Sequence, residues 1–396
     1  MTTLLIWFVV IACLPAFLPV IVLIVEIAAA LLPVRRSAAP SMIRPNCVVL
    51  IPAHNEENGI VRTLSSIFPQ LTAGDRILVV ADNCSDATAS LARAAGAEAV
   101  ERTDATRRGK GYALDFGVRK LANDPPAVVA ILDADCVLET GSLDRLVRTA
   151  AARGRPVQAA YEMEVPPGGD ARSQLAAFLF SLKNCVRPRG LARLGMPCLL
   201  TGTGMAFPWD LIRNAPLASG NIVEDMQLGI DLAIAGKPPV FCQDARVISE
   251  LPVSRGAVTS QRKRWIHGHL ATLTSQAPRL VVRAIRQRKL SLLGMAAELS
   301  VPPLSLLIAL VVMATTLLTA SWYVGGPTLP PLFAVATSAL AIAVLALAWI
   351  RFGRQYVSLS TLFITPLELL SRLATLFLYV LRPQKAWIRT ERRNSL

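Results

Sequence analysis

Charge is scarce in this sequence: acidic and basic residues together make up 17% of its 396 positions. Histidine is scarcer still, with three in the chain. The seven cysteines form no CxxC pair and no Cys/His cluster at zinc spacing, which excludes a zinc-built or disulfide-built fold. Free thiols in a reducing compartment are the expectation. No internal repeat and no low-complexity tract is present. The Gly/Lys run at RRGKG lacks Walker spacing, which excludes a P-loop reading. No basic stretch precedes the first apolar run, so a cleavable signal peptide is not the reading there.

Apolar residues, in contrast, reach 53%, and they are unevenly spread. Leu4 to Leu32 is nearly unbroken apolar sequence interrupted by Glu26, where about 20 residues suffice to span a bilayer. Arg35 and Arg36 follow it. This predicts a membrane anchor over residues 1–34 with the chain cytoplasmic from residue 35. Glu26 either pairs with another intramembrane group or sits near the cytoplasmic interface, and closeness to Arg35 favours the interface. A hairpin of two further spans is expected over 304–320 and 332–350, joined by the uncharged loop GGPTLPP and followed by Arg351 and Arg354. The last apolar run, 357–381, carries Pro366, Glu368 and Arg372 and precedes a basic tail. A broken or interfacial helix keeps that tail inside. The C-terminal membrane region is therefore 291–396, and the expected location is the inner (plasma) membrane, multi-pass.

The net charge of +14 invites a nucleic-acid reading. The basic residues cluster beside the apolar segments, however, as cytoplasmic loops of a membrane protein do. Arg279, Arg283 and Arg286 share a helical face suited to anionic headgroups. No nucleic-acid partner is expected.

Residues 42–290 alternate between short β-rich runs (47–51, 76–81, 127–132, 156–161) and helical patterns. Near-continuous apolar strands separated by helices predict an α/β domain with a mainly parallel, doubly covered sheet. Ligands of such sheets bind beyond the carboxyl ends of the strands. Polar groups stand there after three strands: PAHNEE (52–57), DNCSD (82–86) and DADC (133–136). One such Asp is ordinarily a helix cap; three together suggest a site. Asp133 and Asp135, two apart at a strand end, suit a hard divalent ion, Mg²⁺ or Mn²⁺, bridging a diphosphate. The alternative is a turn with solvated acids. RRGKG (107–111) offers cations and close backbone approach to phosphate, or is a solvated basic loop. Gln261, Arg264 and Trp265 of QRKRW fall on one helical face. His267 and His269 point to different faces, which disfavours a metal pair.

PAHNEE, DNCSD, GKG, DADC, TGTGMAF, EDMQLG and QRKRW occur in that order. The set resembles the membrane-bound family 2 glycosyltransferases of GT-A fold, the group with cellulose, hyaluronan and chitin-oligosaccharide synthases, over roughly residues 45 to 275. The resemblance implies roles for matching positions. Pro52, His54, Glu56 and Asp82 line the nucleotide pocket. Lys110 meets the diphosphate, and Asp133 and Asp135 form the D-x-D pair with Asp135 as metal ligand. Asp225 is the catalytic base, and Gln261, Arg264 and Trp265 lie near the acceptor and diphosphate. TGTGMAF flanks the acceptor cleft, or is a bulged strand. Glu224 and Asp225 also suit a helix start, where acids oppose the macrodipole.

The expected activity is inverting, metal-dependent sugar transfer from a nucleotide-sugar, a UDP-sugar in the first instance. The acceptor is a lipid-linked or growing glycan of the cell envelope or an exopolysaccharide. Two other readings stand beside it: a processive synthase that exports its polymer, alone or with an export partner, and an inactive scaffold that binds nucleotide-sugar.

Overall fold

The computed structural model describes residues 2–33, 43–218, 223–251 and 255–362, with the backbone alone for residues 2 and 255–263. Arg35 and Arg36, the basic tail and all but the start of the 357–381 segment lie outside the described residues, as do the side chains of Gln261, Arg262 and Lys263.

The first apolar run folds as α1 (Thr2–Cys13), a 3-10 turn (Leu14–Phe17) and α2 (Leu18–Leu31). Pro15 and Pro19 stand at the starts of the turn and of α2. Proline lacks an N–H and fixes φ, so a helix start is where it fits.

Eight strands among the described residues form one sheet: β1 (Cys47–Ala53), β2 (Arg76–Asp82), β3 (Glu98–Arg102), β4 (Val128–Ile131), β5 (Cys136–Leu138), β6 (Val157–Glu164), β7 (Met205–Pro208) and β8 (Val240–Glu250). Their order is β3-β2-β1-β4-β7-β6-β8-β5. The first four in that order are parallel to one another, β7 is antiparallel to both β4 and β6, and β8 runs parallel to β6 and antiparallel to β5. β1, β2, β4 and β6 are the strands expected from apolar runs. The others escape that criterion. β3 is a charged edge strand, β5 has three residues, and β8 is half-polar against a partner that is bulged at Ala159/Ala160.

Helices α3 (Ile60–Ile67), α4 (Thr88–Ala94) and α6 (Ser142–Arg153) cover one face of the sheet. α5 (Lys110–Leu121) and α10 (Glu224–Ile234) cover the other. Along β1, Val49 and Ile51 enter the first core while Val48 and Leu50 enter the second. Both faces of the strand are thus dry, which explains its continuous apolar sequence. Gly117 lets α5 settle on β1, since a Cβ there would meet Leu50 at 2.5 Å.

After β6 come α7 (Ala171–Ser181), a π turn (Leu182–Val186) and α8 (Arg187–Arg193). α9 (Trp209–Ile212) follows β7. α11 (Arg255–Gln287) and α12 (Leu290–Ser300) pack on α10 through Ile230, Leu280, Leu292 and Met295. Arg279 of α11 pairs with Asp231 at 2.9 Å and stays exposed. Arg283, Arg286, Val282 and Ile285 are exposed beside it.

α13 (Leu304–Tyr323), α14 (Leu329–Ala348) and a π turn (Trp349–Gly353) follow. Among the described residues, three segments are long and apolar enough to cross a membrane: Thr3–Leu31, Leu304–Tyr323 and Leu329–Gly353. Their outward side chains, among them Phe8, Ile11, Val312, Leu340 and Ile342, are exposed and apolar. Glu26 has a partner. It is 2% exposed, and Arg187 donates to its carboxylate at 2.5 Å. A buried carboxylate needs a counter-charge, and α8 brings one.

Candidate active site

The carboxyl ends of β1, β2 and β4 converge. Pro52, next to last in β1, lies beside Val80, in register and half-buried. His54 follows, and its Nδ1 donates to the Asp82 carbonyl at 2.7 Å. The two loops are stitched further. Glu56 N–H donates to Thr88 Oγ1 at 2.8 Å, Glu57 N–H to Asp86 Oδ2 at 3.1 Å, and Asn55 Oδ1 accepts from Ser85 N–H at 2.7 Å. Asn55 and Asn83 both take positive φ at the strand ends, a conformation that asparagine tolerates. Asp86 caps the α4 turn by accepting from Thr88 N–H at 3.1 Å. The same job is not open to Asp82, which is 5% exposed and paired with Arg102 at 2.5 Å. Arg102 in turn holds Asp104 at 3.0 Å and lies over the Tyr112 ring.

Lys110 opens α5 directly after Gly109, whose φ is +124°. Its ammonium donates to the Asp133 carboxylate and to the Gly202 carbonyl, the latter at 2.8 Å. Burial alone would lower its pKa, but the carboxylates of Asp133, Glu224 and Asp225 outweigh that and raise it. Lys110 is a fixed cation.

Asp133 and Asp135 are half-buried, and with Cys136 they place ligand-type atoms within 4.8 Å of one another. Burial, then the neighbouring acids, push the Cys136 thiol well up, and it donates to Asp135 at 3.5 Å. A protonated thiol is no ligand, so the donor set is two carboxylates. Hard oxygen donors fit Mg²⁺ or Mn²⁺ and not zinc. The loop is braced from α3, where Thr63 donates to the Ala134 carbonyl at 2.8 Å.

Glu224 and Asp225 begin α10, and Asp225 Oδ1 accepts the Met226 N–H at 2.8 Å. They are a helix start, as the residue types suggested, but both are held out of bulk water. Burial first, then Asp225, raises Glu224 to about 7. Burial also raises Asp225, against the lowering influence of Lys110. Asp225 and Lys110 both approach Gly202. Its φ is +89°, and a Cβ there would stand 3.2 Å from Asp225 Oδ2 and 3.4 Å from Lys110 Nζ. TGTGMAF is therefore a glycine turn against Asp225 that leads into β7.

Several contributors were not legible as site residues. Gln158, 1% exposed in β6, donates to the Thr203 carbonyl at 2.9 Å and accepts from Thr201 N–H at 2.9 Å. Thr203 Oγ1 accepts from Asp133 N–H at 3.0 Å. A lone amide in an apolar strand was the available signal. Arg102 gave none, because an exposed-looking edge strand hides its partner.

Trp265 of α11 stacks on Phe180, with ring centroids 5.6 Å apart, and Phe180 meets Tyr161 at 4.9 Å. Arg264 is half-buried beside it. Gly268 lets α11 approach α10, since a Cβ there would lie 2.5 Å from Val223. His269 is buried, and burial, with Lys183 and Arg187, lowers its pKa to about 3, leaving it neutral. His267 is half-buried.

A mainly parallel sheet with the acidic pair after β4 and the buried acids of α10 facing it defines a glycosyltransferase of GT-A fold. Residues 45–268 match the model of glycosyltransferase-like family 2, and the chain belongs to that family. An uncharacterized glycosyltransferase of Mycobacterium tuberculosis is 30% identical over 191 residues, which cover 44% of this chain and 81% of the relative. A Mycobacterium bovis relative matches to the same extent. A mannosyltransferase from Pyrobaculum calidifontis, solved with GDP-mannose and Mn²⁺, has the same fold at 18% identity. Its TM-score is 0.53, covering 93% of this chain and 99% of that one.

Proposed function

We propose that this protein is a membrane-embedded, inverting glycosyltransferase that moves a sugar from a nucleotide-sugar to a lipid-linked or growing glycan acceptor of the cell envelope. The observation that carries the reading is the arrangement around Gly202. The Lys110 ammonium, paired with the Asp133 carboxylate, and the Asp225 carboxylate converge on it. A leaving diphosphate needs the cation, and an attacking hydroxyl needs a carboxylate close by.

Pro52, His54, Glu56 and Asp82 bind the nucleotide in this reading. Lys110 draws the diphosphate oxygens by charge-assisted hydrogen bonds. Asp133 and Asp135 would hold Mg²⁺ or Mn²⁺, Asp135 foremost; when bound, the ion neutralises charge that develops on the departing nucleoside diphosphate. Asp225 takes the proton from the acceptor hydroxyl as its oxygen bonds to the anomeric carbon and the carbon–oxygen bond to the diphosphate breaks. A single displacement inverts the anomeric centre. Raised basicity suits Asp225 to this role, because a base works best with a pKa near the working pH. Gln261, Arg264 and Trp265 serve the acceptor side, where an indole offers a flat face to a sugar ring.

The catalytic domain spans 42–290 and faces the cytoplasm, between the anchor and the C-terminal membrane region. The three apolar segments and their exposed side chains support this placement. The test uses purified protein in lipid nanodiscs with UDP- and GDP-sugars, Mg²⁺ or Mn²⁺, and a bacterial lipid extract. Metal-dependent nucleoside diphosphate release with one donor, lost in Asp225→Asn, is the expected result. Release unchanged in that variant overturns the assignment of the base. A ladder of products would instead establish the processive reading, which the QRKRW motif favours and the small number of spans disfavours.

A further inference from the structure

Gly190 brings α8 so close to the apolar helix α2 that a Cβ there would run into the Glu26 carbonyl. Arg189 and Arg193 stand one turn apart on α8, so they share a face. Arg189 reaches the π turn (Trp349–Gly353) that ends the apolar segment Leu329–Gly353. Its guanidinium lies over the Phe352 ring, 5.2 Å from the centroid, and Arg351 lies over the same ring at 5.4 Å. Arg354 lies over Trp349 at 5.5 Å. Arginines from two distant segments are thus gathered where a long apolar helix ends.

No carboxylate answers this charge. Among the described residues, Arg189, Arg193, Arg351 and Arg354 make no ion pair and no side-chain hydrogen bond. Nε of Arg189 and Nη2 of Arg193 are buried donors without an acceptor. Burial first, then the like charges of Arg193 and Arg351, lower the Arg189 pKa, and Asp244 offsets this only in part. An aromatic face compensates a guanidinium by about 0.5–2 kcal/mol. A buried donor left unsatisfied costs about 1–3 kcal/mol, so the rings alone do not settle the cluster. A phosphate would, because its oxygens accept from several guanidinium forks at once. The neighbouring surface shows how such a group arrives. Leu347 and Ile350, one turn before Arg351 and Arg354, are exposed and apolar. An apolar stripe that runs into a cationic end matches an acyl chain followed by its phosphate.

We propose that Arg189, Arg193, Arg351 and Arg354 form a site for the phosphate of an anionic bilayer phospholipid whose acyl chains lie along Leu347 and Ile350. This is a resident lipid, apart from donor and acceptor. Its phosphate bridges α8 of the catalytic domain to the end of α14 and so fixes the domain's height on the bilayer. The inference uses the reading of Leu329–Gly353 as a membrane span and none of the roles given to Lys110, Asp225 or a metal.

The test is native mass spectrometry of the full chain from maltoside micelles with equal amounts of dioleoyl phosphatidylglycerol and dioleoyl phosphatidylcholine. The native chain is expected to retain phosphatidylglycerol in preference by about tenfold or more. Arg189→Gln with Arg351→Gln is expected to remove that preference. Arg283→Gln with Arg286→Gln, which takes two exposed charges from α11 instead, is expected to keep it. Circular dichroism reports the fold of each variant. Where the first pair unfolds, Arg193→Gln carries the same comparison, with a several-fold loss expected. Equal loss in the α11 pair and the cluster variants overturns the proposal, because diffuse positive charge then suffices. So does equal retention of the two lipids by the native chain. So does displacement of phosphatidylglycerol by millimolar inorganic phosphate, which would make this a site for a free anion. No reading here involves donor, metal or transfer, so the transferase assignment stands or falls separately.

Discussion

Glu26 of the first apolar helix and Arg187 of the catalytic domain form a buried ion pair at 2.5 Å. It ties α2 to α8. Breaking a buried pair leaves a charge without compensation, at a cost of about 3–5 kcal/mol. Glu26→Ala is therefore expected to lower the thermal midpoint strongly, whereas Glu26→Met with Arg187→Met restores most of the loss. Thermal unfolding in detergent, read by the activity that survives heating, checks this.

Asp225→Asn removes the proton acceptor while keeping the shape of the side chain. Transfer is expected to fall by about a hundredfold to ten-thousandfold, with UDP or GDP affinity nearly unchanged. Steady-state release assays paired with calorimetric nucleotide titration separate the two effects.

Asp135→Asn and chelation are expected to have the same consequence. Native activity should vanish with a chelator and return with Mn²⁺ or Mg²⁺. In the variant, the metal concentration for half-activation should rise by about tenfold or more, since a charged oxygen ligand is replaced by a neutral one. Metal titration of the release rate is the measurement.

Both acids of α10 have raised pKa values, and the sign of each effect follows. Glu224 keeps its proton in the folded chain from the ordinary 4.5 up to about 7. The folded state then binds more protons than the unfolded one, so stability falls as pH rises through that window. Glu224→Gln should flatten this slope in thermal midpoints measured against pH. For activity, the acid limb of kcat/KM should lie above the ordinary Asp value of 3.8. Lys110→Met should move that limb to higher pH, because Lys110 lowers the pKa of Asp225.

Gly202→Ala tests the turn between Lys110 and Asp225. Alanine at φ +89° is strained, and its Cβ would crowd Asp225 Oδ2 at 3.2 Å. Such strain is on the order of 1–3 kcal/mol, so kcat should drop by about tenfold or more while the fold persists. Circular dichroism alongside kinetics distinguishes local crowding from unfolding.

Much of this molecule was written in its local sequence. Val48 to Ile51 alternate between two dry faces, so the central parallel strands read as continuous apolar runs. The motifs at the strand ends followed, because a parallel sheet delivers its loops to one edge. The long apolar segments were visible for the same reason, as length and hydropathy are local properties. What the sequence could not supply was pairing between distant residues. Asp82 and Asp86 look alike in DNCSD, yet one turns to Arg102 and the other caps α4. Gln158 reads as a flaw in a strand until Thr203 and Thr201 stand beside it. Whether Glu26 pairs stays open in the sequence until α8 brings Arg187 against it. Composition and periodicity determine which face of an element is buried. Which charge meets which across more than a hundred and fifty residues, as for Glu26 and Arg187, is decided when the helices pack, because only then does desolvation force each buried charge to find a partner or to wait for a ligand.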